Sequence, residues 1–296
     1  VNSPDDMARM QLGTKRVTPE AIVAWKAERG YDRPLLFNRQ AEGLEWLTRT
    51  IFFDKSVRLF VFDFGNSDAG RDILHDIGQR MWPSLAVAVP VLLVGLLVNI
   101  SLALFLVLFR GSVFDLAGVV LLVAMLSISG LFYIIGGQYM LGKLLRLAPI
   151  SGYDQGLEAW KFLVLPVLIG VLGGIGSGAR LYRTLFLEEA QKDYVRTARA
   201  KGLGDRLVLF RHILRNALIP ILTGVVVVLP LLFMGSLLTE AFFGIPGLGS
   251  YTLDAINNQD FAIVRAMVFL GSVLYILGLM LTDISYTMVD PRVRLV

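Results

Sequence analysis

The residues with most to offer chemically are few. Gly137-Gln138-Tyr139-Met140-Leu141-Gly142-Lys143-Leu144 approaches the spacing of a phosphate-binding loop, in which backbone N–H groups cradle phosphates and a lysine reaches the terminal one. Leu144 stands where a Ser or Thr hydroxyl would hold Mg²⁺, and no strand pattern leads into the run, so nucleotide hydrolysis by this chain is not expected. His75 and His212 are the only histidines and lie far apart, and there is no cysteine, which leaves no thiolate nucleophile and no clustered metal site. Neither an HExxH nor a GxSxG pattern occurs. Two other stretches carry organised features without catalytic ones. One is the basic, glycine-broken run from Glu188 to Pro220; the other is the turn-rich run from Thr239 to Gly249.

The elements that must position these stretches cross a membrane. Of 296 residues, 55% are apolar and only 18% charged, with mean hydropathy +0.65, a balance unlike that of a water-soluble domain. Crossing a hydrocarbon layer of roughly 30 Å takes about 20 apolar residues. Five runs qualify, approximately 82–108, 116–141, 162–179, 218–239 and 267–282. Their interiors hold little beyond Asn99, Ser101, Ser127, Ser129 and Ser177, while Asp115, Arg180 and Asp283 fall at predicted ends. A carrier driven by protons or sodium needs ionisable or cation-coordinating groups at mid-membrane, so the energy for transport is expected from outside this chain. Gly170, Gly174 and Gly178, four apart, predict a small-residue face for close helix packing. The +4 balance of 28 basic against 24 acidic residues is too dispersed for nucleic-acid binding.

Twelve basic residues (Arg110, nine from Arg180 to Arg215, Arg292 and Arg294) fall on one side of these spans, and four (Lys143, Arg146, Lys161, Arg265) on the other. The bias predicts a cytoplasmic 186–217 loop and C-terminus, and an extracytoplasmic segment 1–81 ahead of a transmembrane domain 82–296. Export of that segment predicts a further span preceding Val1, giving six in all. Within it Thr18-Pro19-Glu20 predicts a capped helix carrying Ile22, Val23 and Trp25 and stopping at Gly30. A second helix is expected from Asn38 with Leu44 and Leu47, and a third from Ala69 to Arg80.

In the basic run, Glu188 and Glu189 suit a helix N-terminus, Arg199 and Lys201 its C-terminus, and Gly202 a bend. Leu187, Ala190, Tyr194 and Ala198 would share a face. Asp205 would cap a second short helix with Leu207, Phe210 and Leu214 as its apolar face. Two short helices meeting at a glycine make a knob suited to a partner protein.

The segment DYVRTARAKGLGDRLVLFRHILRNALIP resembles the cytoplasmic EAA loop of inner-membrane permeases of ABC importers, in the dipeptide, oligopeptide and nickel branch, B-type subunit. TEAFFGIPGLG resembles that branch's outer loop after the fifth span, DISYTMVDPRVRL its C-terminal ending, and GYDRPL with FDFGNS its outer segment after the first span. The resemblance implies an all-α polytopic subunit of the bacterial inner membrane. It implies partnership with a second, homologous permease, two cytoplasmic ATPase subunits and an extracytoplasmic substrate-binding protein. It implies ATP and Mg²⁺ on the partner ATPase and no cofactor on this chain. ATPase coupling would fall to Tyr194, Arg196, Thr197, Ala198, Arg199, Ala200, Lys201, Gly202 and Leu203, with His212 and Asn216 in support. Arg196 and Thr197 depart from the Glu and Ala of the general motif. Glu240, Phe243, Pro246, Gly247 and Gly249 would contact the binding protein or form an outer gate, or else make a tight structural turn. Peptides are the branch's usual cargo, with nickel and other small solutes also found in it. The alternatives are a secondary transporter or channel working without an ATPase, and a membrane-embedded enzyme.

Overall fold

A computed structural model describes residues 3–13, 18–38, 43, 45–154, 156 and 158–289, with side chains described as far as Ser285. The DPRVRL ending, with Arg292 and Arg294, lies outside the described residues, as does Leu44. The described residues are helical apart from turns and one isolated antiparallel bridge between Asn66 and Asp72. They form two compact units, Val1–Gln79 with Thr252–Leu270, and Arg80–Tyr251 with Gly271–Val296. The stretch 252–270 therefore packs with the N-terminal residues, an association that a division of the chain at residue 81 does not contain.

In the first unit, α1 (Pro4–Leu12) opens with a capping box between Ser3 and Asp6. The Thr18 hydroxyl accepts from the Ala21 N–H to start α2 (Pro19–Glu28), as expected, and Trp25 is its buried residue. Of the helix expected from Asn38, the described residues hold one turn, α3 (Glu45–Thr48), followed by α4 (Ile51–Lys55), which Thr50 caps. Phe60, Phe62 and Phe64 each meet Phe269 edge-on, at centroid distances of 5.3, 6.2 and 6.3 Å. Asp260 accepts from the N–H groups of Ala262 and Ile263 at 3.2 Å and from that of Asp68 at 2.7 Å. The short helices are held by side-chain caps and aromatic contacts because each is too short to be stable alone.

Among the described residues, four helices are long and apolar enough to cross a membrane: Ile73–Leu108 (α5), Ala159–Glu189 (α8), Asp205–Met234 and Phe261–Ser285 within α14 (Phe261–Val289). The two elements expected at 69–80 and 82–108 are one helix, since Pro83 and Pro90 sit inside α5 without ending it. The span expected over 116–141 is instead a bent pair, Val113–Leu126 (α6) and Gly130–Leu144, meeting at 92°. The second arm is α7 (Gly130–Gly137) continued by a wide turn over Gln138–Leu144. At the bend the Tyr133 hydroxyl donates to the Met125 carbonyl (2.8 Å) and the Ser127 hydroxyl to the Val123 carbonyl (2.9 Å), each joining a backbone N–H, of Ile128 and of Ser127, on the same oxygen.

Close approach sets the helix order of the second unit. A Cβ on Gly170 would lie 2.9 Å from the Val91 side chain, and one on Gly178 would enter the Asn99 amide. These two contacts make α5 and α8 parallel, so the chain between them must return across the layer, and the bent pair supplies that return. The same register sets Gly95 opposite Gly174, and neither has an atom within 4 Å of a built Cβ. The expected stripe is therefore corrected. Gly170 and Gly178 pack on α5, Gly174 leaves open space where a Cβ would stand, and a Cβ on Gly176 would lie 2.7 Å from the Leu126 nitrogen in the α6 backbone. Across the start of α6, Arg183 forks onto Asp115 (Nη2 to Oδ1 at 2.8 Å, Nε to Oδ1 at 3.1 Å), while Asp115 also accepts the Gly111 N–H at 3.1 Å.

These contacts distinguish neighbouring glycines. Gly176→Ala should lower the apparent melting temperature of the purified protein, at a cost of roughly 1–3 kcal/mol for overpacking against backbone. Gly174→Ala should leave it unchanged or raise it by up to about 1 kcal/mol through helix propensity. Equal effects from the two substitutions would contradict the packing described.

Candidate functional site

The basic run folds differently from its sequence reading in two respects. Glu188 and Glu189 close α8 and do not open the next helix, which is α9 (Asp193–Ala200). A chain leaving a long apolar helix carries it on through Glu as readily as through Leu, so the acidic pair marks an end. Gly202, at φ +79°, makes the expected bend, and its N–H donates to the Arg199 carbonyl at 2.9 Å. The second short helix, α10 (Asp205–Val208), is preceded by Gly204 as cap, not by Asp205. It runs on through a wide turn (Leu209–Leu214) into α11 (Arg215–Val228), so one continuous element joins the knob to the span. The apolar face follows this change of winding. Val208, Leu209, Ile213, Ala217 and Ile221 are buried, whereas Leu207 and Phe210, expected inward, are exposed.

The buried side of α9 is Val195 and Ala198. They join one apolar cluster with Ala103 and Leu104 of α5, Phe186 of α8, and Val208, Leu209 and Ile213. Leu203 packs on its edge. Val195 and Phe186, both fully buried, are absent from the residues that motif matching selects. The signal for Val195 is its three-residue spacing from Ala198 in a helix whose other residues, Ala200 apart, are charged or hydroxylated.

The other side of α9 faces out: Tyr194, Arg196, Thr197, Arg199 and Ala200 are exposed, as are Lys201 and Gly202 beyond it. Its charges are held loosely, Arg196 against Asp193 at 3.5 Å and Arg199 against Asp205 at 3.6 Å. Such exposed pairs contribute little to stability and leave the cations free to re-pair. The Tyr194 hydroxyl bonds the Glu189 carboxylate; burial, reinforced by that carboxylate, pushes its pKa up to about 12, so it stays a donor at neutral pH. Asn216 donates to the His212 carbonyl at 2.9 Å. A hollow of about 340 Å³ opens between the two helices, walled by Tyr194, Thr197, Lys201, Leu207, Arg211 and His212. The two supporting residues thus reach the knob by different routes, His212 in the wall of the hollow and Asn216 one helical turn further on.

The second candidate stretch is built around one carboxyl. Glu240 lies in α12 (Leu237–Phe243) at 1% exposure, accepting from the Ser236 N–H at 3.1 Å and the Ser250 N–H at 3.0 Å. A Cβ on Gly235 or Gly247 would enter that carboxylate, and one on Gly249 would lie 2.5 Å from the Ser236 backbone. Ser84 of α5 accepts the Leu248 N–H at 2.8 Å. The carbonyls that end α12 are also taken, Phe242 by the Gln138 amide at 2.9 Å and Phe243 by the Gly152 N–H at 2.8 Å. Phe243 is buried with Val87, Ile134, Leu165 and Ile169, and Pro246 is exposed. Locally the stretch is a tight turn in which glycines admit a buried acid, and Pro246 is left at its surface.

The sequence pattern of the family described as "Binding-protein-dependent transport system inner membrane component" matches residues 100–295. The dipeptide transport system permease protein of Bacillus subtilis is 31% identical over 83% of this chain and 78% of its own length. The di/tripeptide transport system permease protein of Pseudomonas aeruginosa is 32% identical over 98% of this chain and 90% of its own length. A Sinorhizobium fredii protein described as a probable peptide ABC transporter permease is 29% identical over 99% of this chain and 90% of its own.

Burial outweighs the hydrogen bonds to Glu240 and raises its pKa above the ordinary glutamate range, so the folded protein holds that proton more tightly than the unfolded chain. The stability this contributes is complete below the ordinary glutamate range and is lost as pH rises through the raised value. Melting curves from pH 4 to 8 should show Glu240 losing ground to Glu240→Gln as pH rises. A difference that grows in favour of glutamate with pH would contradict it.

Proposed function

Because the chain belongs to the family of binding-protein-dependent transport system inner membrane components, and is by that membership a permease subunit of an ABC importer, we propose that α9 with its Gly202 bend is the surface through which a separate ATPase drives it. The supporting observation is the two-sided burial of α9. Val195 and Ala198 are fixed in a core shared by the ends of three long helices, while Tyr194, Arg196, Thr197, Arg199, Ala200 and Lys201 stay exposed. A displacement of α9 by a partner is then imposed on α5, α8 and α11 together, because close-packed interiors transmit strain.

In this reading the knob and the C-terminus face the cytoplasm, following the basic bias, and the 1–81 segment lies outside. The hollow beside His212 receives an apolar or hydroxylated side chain of the ATPase, and Arg196 and Arg199 exchange their weak partners for acids there. ATP and Mg²⁺ are held by the ATPase, and this chain binds neither. A second, similar permease completes the path and a soluble binding protein delivers the cargo. The relatives are named for dipeptides, di/tripeptides and peptides, which makes a short peptide the proposed cargo.

Vesicles holding the chain with its partner subunits should take up peptide when ATP is supplied inside the cytoplasmic compartment, and vesicles holding the chain alone should not. Gly202→Val forces a β-branched residue to φ +79°, at a strain of roughly 1–3 kcal/mol, and should cut uptake about tenfold or more with unchanged insertion. Uptake by the chain alone, or full uptake by Gly202→Val, would overturn the coupling role.

A further inference from the structure

A cavity of about 560 Å³ lies within the first unit, in the size range of roughly 300–1,000 Å³ typical of small-molecule sites. Two stretches singled out by sequence and unused by the coupling reading meet in its wall. Gly30, Tyr31 and Arg33 come from GYDRPL, Asn66 and Ser67 from FDFGNS. Trp25 and Tyr31, both in its wall, stack on each other at 5.5 Å, with Arg29 4.9 Å over the Trp25 ring.

The charges around it are not balanced locally. Asp68 is occupied by Arg29 at 2.8 Å and by the Gln11 amide. Asp54 lies 3.8 Å from Lys55 and 3.4 Å from Arg58. Arg265 has no such partner, and its Nε is shielded from solvent without a hydrogen bond among the described residues. Lys55 stands 5.3 Å over the Tyr31 ring, and burial, then the neighbouring Arg265 charge, hold its ammonium below the usual lysine range. A buried guanidinium N–H with no acceptor is costly, and a second cation beside it adds to the cost. A carboxylate accepting from both would relieve the two together. Glu28, exposed and without an ion pair among the described residues, lies in the same wall and supplies the opposite charge.

We propose that this cavity binds a short zwitterionic peptide, its C-terminal carboxylate on Arg265 and Lys55, its backbone along Trp25 and Tyr31, and its ammonium towards Glu28. The acids in the wall disfavour a multiply charged phosphate. The choice of a peptide rests on the importer reading; the cation pair does not.

The test is calorimetric titration of the full chain, assembled with its partner subunits, with alanyl-alanine, its C-terminal amide, its N-acetyl derivative and inorganic phosphate. Saturable binding of alanyl-alanine is expected, weakened roughly tenfold or more by amidation and by Arg265→Met, as for loss of a hydrogen bond to a charged group. Lys55→Gln should weaken it as well, with melting temperatures confirming that both variants fold. Indifference to Arg265→Met in a folded variant, equal binding of the amide, or tighter binding of phosphate would overturn the site. ATP-driven uptake in the same preparation separates the two readings. Intact uptake without carboxylate-dependent binding rejects this site alone, and Arg265-dependent binding without uptake rejects the importer.

Discussion

In hydrocarbon, a backbone N–H or C=O with no partner has no water to turn to, and every break in a membrane helix must therefore be closed by the protein itself. The breaks in this chain show how. At the bend after α6, the N–H groups of Ser127 and Ile128 keep the Val123 and Met125 carbonyls, and two hydroxyls reinforce them. After the span that ends at Met234, Gly235 turns the chain and a buried glutamate collects the N–H groups of Ser236 and Ser250. Where α12 ends, an amide from Gln138 and the N–H of Gly152 reach its last carbonyls. Glycine recurs at these places because the partner must come close, and a Cβ would occupy its position.

The same constraint explains the placement of charge. Asp115 and Arg183 are each partly buried, and neither would be stable there alone; forked pairing makes them a clamp between the start of α6 and the end of α8. Glu240 has no cationic partner among the described residues, only N–H and hydroxyl donors, so its burial is compensated by dipoles and its proton is held more firmly. Both groups tie elements of the second unit to one another.

The helix proposed for coupling has eight residues, too few to hold itself in place. Its position comes from Val195 and Ala198, which is why a surface otherwise rich in loosely paired arginines is rigid underneath. Weak outer pairs and a strong inner core are complementary features. In the proposed coupling role, the first would let a partner take hold at low cost and the second would pass on what the partner does.

The sequence by itself determined the class of the protein: apolar runs of spanning length, the absence of mid-membrane ions, the glycine bend at 202 and the motif stretches were all legible because each is local in the chain. It also located the knob and the turn around Glu240. What it could not assign was any feature depending on which of two faces is covered. Leu207 and Phe210 read on paper as inward-facing as Leu209 and Ile213, and only the wide turn at Leu209–Leu214, in one cluster with Phe186, decides between them. The glycine stripe likewise read as three equal contacts, yet the register with α5 places a glycine opposite Gly174 and empties it. Arg183 as the partner of Asp115, and Arg265 as the neighbour of Lys55, join residues far apart in the chain. Periodicity states that a face is apolar; which neighbour covers it is settled by packing, where a shift of one residue changes every contact.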